Sequence, residues 1–142
     1  MIHLYLVRHA ENEANALEVF SCKHVDYSLT SKGILQARQT RAYLEGKGVD
    51  RIYCSPLKRA VETAEILAGQ SDVPVSIMES LIEVDVGQLE GQTIANRSRA
   101  FYRSVLRDWL VGKSETSFPD GENGTAFYQR AERAIGQVIW TR

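Results

Sequence analysis

Three short strand-like runs alternate with amphipathic stretches along this chain, and that order constrains its fold more than any other feature. Residues 2–7 (IHLYLV) are short and rich in β-formers, which predicts a strand. Thr30 supplies an N-cap for a helix to about Lys47, with Ile34, Ala37 and Leu44 on one face and Gly48 placed to end it. Residues 51–55 (RIYCS) predict a second strand, after which Ser55-Pro56 offer N-cap and N1 chemistry for another helix. In that helix Leu57, Ala60, Val61, Ala64, Leu67 and Ala68 recur with helical spacing, and Gly69 closes it. Residues 73–78 (VPVSIM) predict a third strand, with the proline at an edge or entry position.

A helix is predicted over 95–111 with Phe101, Val105 and Leu106 as its apolar face, followed by a turn-rich loop over 112–125. A last helix begins near Thr125, with Phe127, Ala131, Ala134, Ile135 and Val138 as its stripe. Strand, helix, strand, helix, strand means βαβ units, so the expected fold class is α/β, with a mainly parallel sheet flanked by helices. The last helix runs into Thr141-Arg142 with no glycine cap and no strand after it, which leads us to expect a piece of a longer chain.

Composition narrows the function classes. A length of 142 residues fits one domain, 1–142. A net charge of -1 argues against a nucleic-acid binder, which needs a basic excess or patch. Two cysteines, Cys22 and Cys54, do not make a disulfide scaffold and suit a reducing cytoplasm. No run approaches the ~20 apolar residues of a membrane span, and no basic region precedes the first apolar stretch. A cytoplasmic protein that engages neither membrane nor nucleic acid is the expectation.

The charges at the strand ends point to a site. Open α/β sheets bind ligands beyond the carboxyl ends of their strands, and Arg8-His9 ends the first one. A solvated turn is the plain alternative for that pair alone. At the second junction Lys58 and Arg59 fall in the first helical turn, where cations cost roughly 0.3–1 kcal/mol and anions are favoured. Neither lies on the apolar stripe. A bound anion would turn this placement into a site, the alternative being two exposed bases at a helix start. At the third junction Glu79, Glu83, Asp85 and Glu90 surround Gly87 and Gly91. A solvated acidic loop is the alternative there, but beside two arginines and a histidine one carboxylate becomes a candidate general acid.

These residues match a known pattern. "LVRHAENEAN" resembles the arginine-histidine signature of the histidine phosphatase superfamily, which includes cofactor-dependent phosphoglycerate mutases and broad-specificity phosphomonoesterases. Further matches follow in order: "LTSKGILQA" (29–37), "CSPLKRAVETA" (54–64), "LIEVDVGQLEG" (81–91) and "PDGEN" with Phe127. The residue after the Arg-His pair is usually glycine in that family and is Ala10 here. The resemblance implies a three-layer sandwich of phosphoglycerate mutase-like type, lacking C-terminal strand or strands. It implies His9 as the nucleophile that forms a phosphohistidine, Arg8 and Arg59 as holders of phosphoryl oxygens, and Asn15 as a further phosphate contact. Glu83 corresponds to the acid that protonates the leaving group and then activates water. Ser21 and Cys22 correspond to a small-residue loop near the substrate, where glycine is common at the second position.

The implied chemistry is physically coherent. Phosphoryl transfer needs positioning and charge stabilisation. A neutral imidazole is a competent nucleophile, and guanidinium forks match oxygens that gain charge. No ligand cluster suggests a metal or other cofactor, and the partner expected is a small phosphate monoester, with a homodimer left open. The family also carries a second histidine, in a strand-then-His-Gly segment after the last helix, and this sequence ends before it. His3 (core) and His24 (substrate loop) do not stand in for it, while Lys23, His24 and residues 95–125 are expected to wall the substrate. Mutases usually carry a tyrosine three residues after the acid, where this chain has Val86, and a longer basic insert afterwards. Phosphomonoester hydrolysis, impaired or not in a chain of this length, is therefore favoured over mutase-type transfer. A truncated, non-catalytic phosphate binder is the reading from a different class.

Overall fold

A computed structural model describes residues 2–140. Its regular sheet among those residues has two parallel strands, β1 (Ile52–Cys54) and β2 (Val75–Ile77), in the register Ile52↔Val75, Tyr53↔Ser76 and Cys54↔Ile77. Pro74 sits just before β2, where its missing N–H costs nothing, and its carbonyl accepts from the Ile52 N–H (3.0 Å). Helix α3 (Lys58–Ala68) connects the two strands, packs on both of them and carries α2 (Ser31–Leu44) on another side. This is the βαβ unit expected, and the chain is of the α/β class.

The helix boundaries show which local signals held. Thr30 caps α2 through its hydroxyl, which accepts from Gly33 N–H, but the helix stops at Leu44 with Glu45 as its C-cap, short of Lys47 and Gly48. The expected cap at Ser55 is not used. Ser55 Oγ instead accepts from Leu57 N–H (3.3 Å), α3 begins at Lys58, and the Lys58 N–H is taken by the carboxylate of Asp26 (2.7 Å) from a distant loop. Gly69 ends α3 at φ +59°. Helices α4 (Asn96–Leu110) and α5 (Gly124–Trp140) fall where the periodicity placed them. The expected helix end at Thr141-Arg142 lies outside the described residues.

Residues 2–7 correct the reading. They form neither strand nor helix, and among the described residues no ladder hydrogen bond reaches them. Ile2, Leu4, Tyr5 and Val7 are exposed, and Leu6 is 83% exposed. A run of β-formers becomes a strand only when a neighbouring edge satisfies its backbone groups, and β1 is paired with β2 alone. His3, expected in the core, is exposed with this segment.

The largest core lies under α4. Val105 and Trp109 meet Cys22, Val84, Val86, Leu89 and Phe118, with Phe20, Tyr102, Leu106 and Phe127 packed around them. The rings of Tyr102 and Phe118 stack 5.6 Å apart, and Trp109 meets Phe118 edge-on at 5.8 Å. A smaller core of Ala10, Leu29 and Ala37 joins the start of the chain to α2. Gly33 is needed there, because a Cβ at that position would collide with the carbonyl oxygen of Glu11.

Candidate active site

An open cleft of ≈ 200 Å³ gathers residues from all three junctions: Arg8, His9, Asn15, Ser21, Arg59 and Glu83. Cys22 also lines it, so the seven residues that the resemblance pointed to for catalysis and substrate binding reach the same cleft. Among the described residues no group of His, Cys, Asp or Glu has the arrangement of a metal site.

His9 is held by its own neighbours. Its Nδ1 lies 2.8 Å from the Ala10 carbonyl oxygen. A carbonyl can only accept, so Nδ1 carries the proton and the neutral ring keeps its lone pair on Nε2. Burial lowers the His9 pKa most, and the charges of Arg59 and Arg8 lower it further. The Ala10 hydrogen bond and the Glu83 carboxylate oppose the shift without cancelling it. Ala10 is fixed in turn, its N–H donating to Thr63 Oγ1 (3.1 Å), whose hydroxyl donates to the Arg59 carbonyl (2.7 Å).

Arg59 departs from the stripe inferred for its helix. Its side chain is only 2% exposed, on a face that also buries Thr63. Nη1 donates to Ser21 Oγ (3.2 Å) and Nη2 to the Ser21 carbonyl (3.1 Å), while Asp26 lies 3.5 Å away. A cation so deeply placed needs such acceptors. Lys58, its neighbour in the first turn, is exposed and does not line the cleft. Arg8 is exposed and lines the cleft mouth beside His9.

Asn15 is oriented by a short helix that the sequence reading missed, α1 (Glu13–Ala16). Asn12 and Asn15 form a reciprocal capping box, with Asn12 N–H donating to Asn15 Oδ1 (3.2 Å) and Asn15 N–H to Asn12 Oδ1 (3.0 Å). With the Asn15 oxygen occupied, its amide nitrogen is the end left to donate to an anion.

Glu83 lines the cleft from the stretch after β2, exposed, with Oε1 accepting from the Val84 N–H (3.0 Å). Its stretch of chain is pinned by Arg130 of α5, whose Nη1 donates to the carbonyls of Ser80 (3.0 Å) and Ile82 (2.7 Å). Arg130 is fixed by a two-pronged pair with Glu122 at 3.0 and 2.8 Å. The "PDGEN" segment thus acts on the site at one remove.

Ser21 and Cys22 divide their tasks. Ser21 holds Arg59 and donates its hydroxyl to the Val25 carbonyl. Cys22 is buried in the main core, and burial pushes its thiol up to about 11, so it packs rather than reacts. Lys23 and His24, expected as substrate walls, do not line the cleft, and Lys23 pairs with Asp85 at 3.5 Å.

Of residues 95–125, expected to wall the substrate, Tyr102 lines the cleft, while Val19, Phe20 and Ile94 line it without having been expected there. Val19, Phe20, Ile94 and Tyr102 form an apolar side of the cleft, with the Phe20 and Tyr102 rings 5.6 Å apart. Burial raises the Tyr102 pKa, and the Glu83 charge adds to the rise. A signal for Tyr102 existed. Tyr102, Val105, Leu106 and Trp109 recur at i, i+3, i+4 and i+7, a better buried stripe than one centred on Phe101, which is 39% exposed.

The same arrangement of chain occurs in known proteins. The chain is 34% identical over 141 residues to the adenosylcobalamin/alpha-ribazole phosphatase of Salmonella typhimurium, covering 96% of this chain and 67% of that one. It is 30% identical over 138 residues to phosphoserine phosphatase 1 of Hydrogenobacter thermophilus, covering 97% and 64%. The crystal structure of the alpha-ribazole phosphatase from Shigella flexneri superposes with a TM-score of 0.73 at 30% identity, covering 94% and 65%. The chain therefore spans about two thirds of the length of these relatives. Residues 4–141 match the model of the histidine phosphatase superfamily (branch 1), and the chain belongs to that family.

Proposed function

We propose that this protein hydrolyses small phosphate monoesters through a phosphohistidine on His9. The observation that carries this reading is the His9–Ala10 contact, which leaves Nε2 unprotonated in a cleft lined by two guanidinium groups. Nε2 attacks phosphorus, forming an N–P bond as the P–O bond to the leaving group breaks. Glu83, as the general acid, gives a proton to the departing oxygen. Arg8, Arg59 and the Asn15 amide hold the phosphoryl oxygens as charge spreads over them. Water then attacks the phosphohistidine, passes its proton to Glu83, and leaves orthophosphate and neutral His9.

The apolar side formed by Phe20, Ile94 and Tyr102 receives the leaving group. The two free, buried thiols of Cys22 and Cys54 suit a reducing cytoplasm. Among the described residues no helix is long and apolar enough to cross a membrane. A second reading, phosphate binding without turnover, draws on the unpaired state of residues 2–7, which lead directly into Arg8-His9.

Intact-mass analysis after an acid-free quench, during turnover of an aryl phosphate, tests the proposal. A phosphoryl adduct on the wild type that is missing from His9→Ala is the expected result. Undiminished turnover by His9→Ala would sink the nucleophile assignment, and phosphate binding with no adduct or turnover would favour the second reading.

A further inference from the structure

The acidic run after β2 contains one carboxylate with a different task from Glu83. Glu90 lies at the end of the turn Gly87–Leu89, and a single one of its oxygens, Oε1, accepts from four consecutive backbone N–H groups. They belong to Cys22 (3.2 Å), Lys23 (2.6 Å), His24 (2.6 Å) and Val25 (2.8 Å). The loop 22–25 is therefore wrapped around this carboxylate. The residue just before that loop is Ser21, whose hydroxyl and carbonyl hold the two terminal nitrogens of Arg59. The Ser21 hydroxyl closes the loop again by donating to Val25.

We infer that Glu90 is a positioning residue for phosphoryl recognition: it shapes the loop 21–25 so that Ser21 holds the Arg59 guanidinium at the cleft. This rests on reading Arg59 as a phosphoryl holder. Glu90 does not line the cleft, and substrate there does not meet it. Its action runs mainly through the backbone N–H groups of the loop. Four N–H groups converging on one oxygen demand a full negative charge, since a neutral amide oxygen is a weaker acceptor and brings two donors of its own. Burial alone would raise the Glu90 pKa, but the N–H donors of Val25, His24 and Lys23 and the Cys22 side chain overcome it and bring it down to about 2. The charge that shapes the loop is thus present throughout the pH range in which a phosphatase works.

The arrangement also explains why Arg59 can be almost wholly buried and remain useful. A free arginine would have to be ordered by the ligand at an entropic cost, whereas Ser21 holds this one before any ligand arrives. Asp26, 3.5 Å from Arg59, belongs to the same stretch and caps α3, so loop and helix start are built as one unit.

The decisive experiment follows the Arg59 side chain by nitrogen-15 NMR in wild type, Glu90→Gln and Glu90→Asp, alone and titrated with inorganic phosphate. In wild type, restricted rotation should resolve the Arg59 guanidinium signals. In Glu90→Gln they should average, while the phosphate Kd rises about tenfold, the size expected for loss of one charge-assisted contact. Glu90→Asp, shorter but charged, should fall between, and it takes the place of Glu90→Gln if that protein does not fold.

In an Arg59→Ala background the Glu90 substitution should change the phosphate Kd less than about twofold, because the two residues act through one contact. Unchanged Arg59 signals in a folded Glu90 variant, or additive effects of the two substitutions, would overturn the inference. A wild type that binds no phosphate would instead overturn the reading of the cleft, and the Arg59 signals of the ligand-free proteins would still decide the role of Glu90.

Discussion

His9 gives its Nδ1 proton to the carbonyl of the very next residue, Ala10, across 2.8 Å. That bond sets the tautomer of the His9 ring locally, without a carboxylate partner. Burial and two arginines keep the ring neutral. The His9 ring should therefore stay unprotonated below the ordinary histidine value of 6.5. In an NMR titration the His9 ring should give a midpoint under 6.5, and the acid limb of kcat/KM should follow it. A midpoint at or above 6.5 would contradict the assignment. The folded His9 binds fewer protons than the unfolded one, so the stability it contributes is complete above pH 6.5 and is lost as pH falls through the folded midpoint.

Glu83 should matter in proportion to how badly the leaving group needs a proton. Glu83→Gln is expected to slow alkyl phosphates by about 100-fold or more and aryl phosphates with acidic phenols much less. Equal slowing across a leaving-group series would count against proton donation.

Arg130 never touches the cleft, yet it should affect the rate. Its pair with Glu122 is largely buried, at 16% and 13% side-chain exposure, and its Nη1 grips the chain just before Glu83. Arg130→Met strands the Glu122 carboxylate and should destabilise the protein by about 3 kcal/mol. In denaturant titrations that loss should be recovered in part by Arg130→Met combined with Glu122→Leu, whereas kcat should not recover, since the Ser80 and Ile82 carbonyls stay unheld.

Gly33 offers a test that runs against helix propensity. Alanine ordinarily favours a helix over glycine by about 1 kcal/mol. At this position its Cβ would collide with the Glu11 carbonyl, so Gly33→Ala should instead lower stability, by about 1–3 kcal/mol. A higher melting temperature for Gly33→Ala would show that α2 shifts freely against residues 10–12.

The unpaired apolar segment 2–7 should promote self-association of the 142-residue chain. Light scattering across a concentration series is expected to show growth beyond the monomer, reduced by the double substitution Leu4→Lys and Leu6→Lys. A strict monomer at high concentration would remove the homodimer from consideration.

The amino-acid sequence by itself determined the α/β class, the N-cap of α2 and the end of α3, and named residues that the fold brings to one cleft. Those features depend on near neighbours: a threonine three residues before the glycine whose N–H it accepts, a glycine after a helix, an Arg-His pair within a recognisable signature. Tyr102 is legible too, since it shares a helical stripe with Val105, Leu106 and Trp109.

What only the tertiary structure decided depends on partners far along the chain. The sequence offered Arg59 as an anion holder, but its almost complete burial depends on Ser21 and Asp26, more than thirty residues away, which supply its acceptors. Glu90 looked interchangeable with the other carboxylates of its run until the loop 22–25 closed around it. Residues 2–7 have every local preference of a strand and lack one, because a strand is completed by the hydrogen bonds of a neighbouring edge and not by its own side chains.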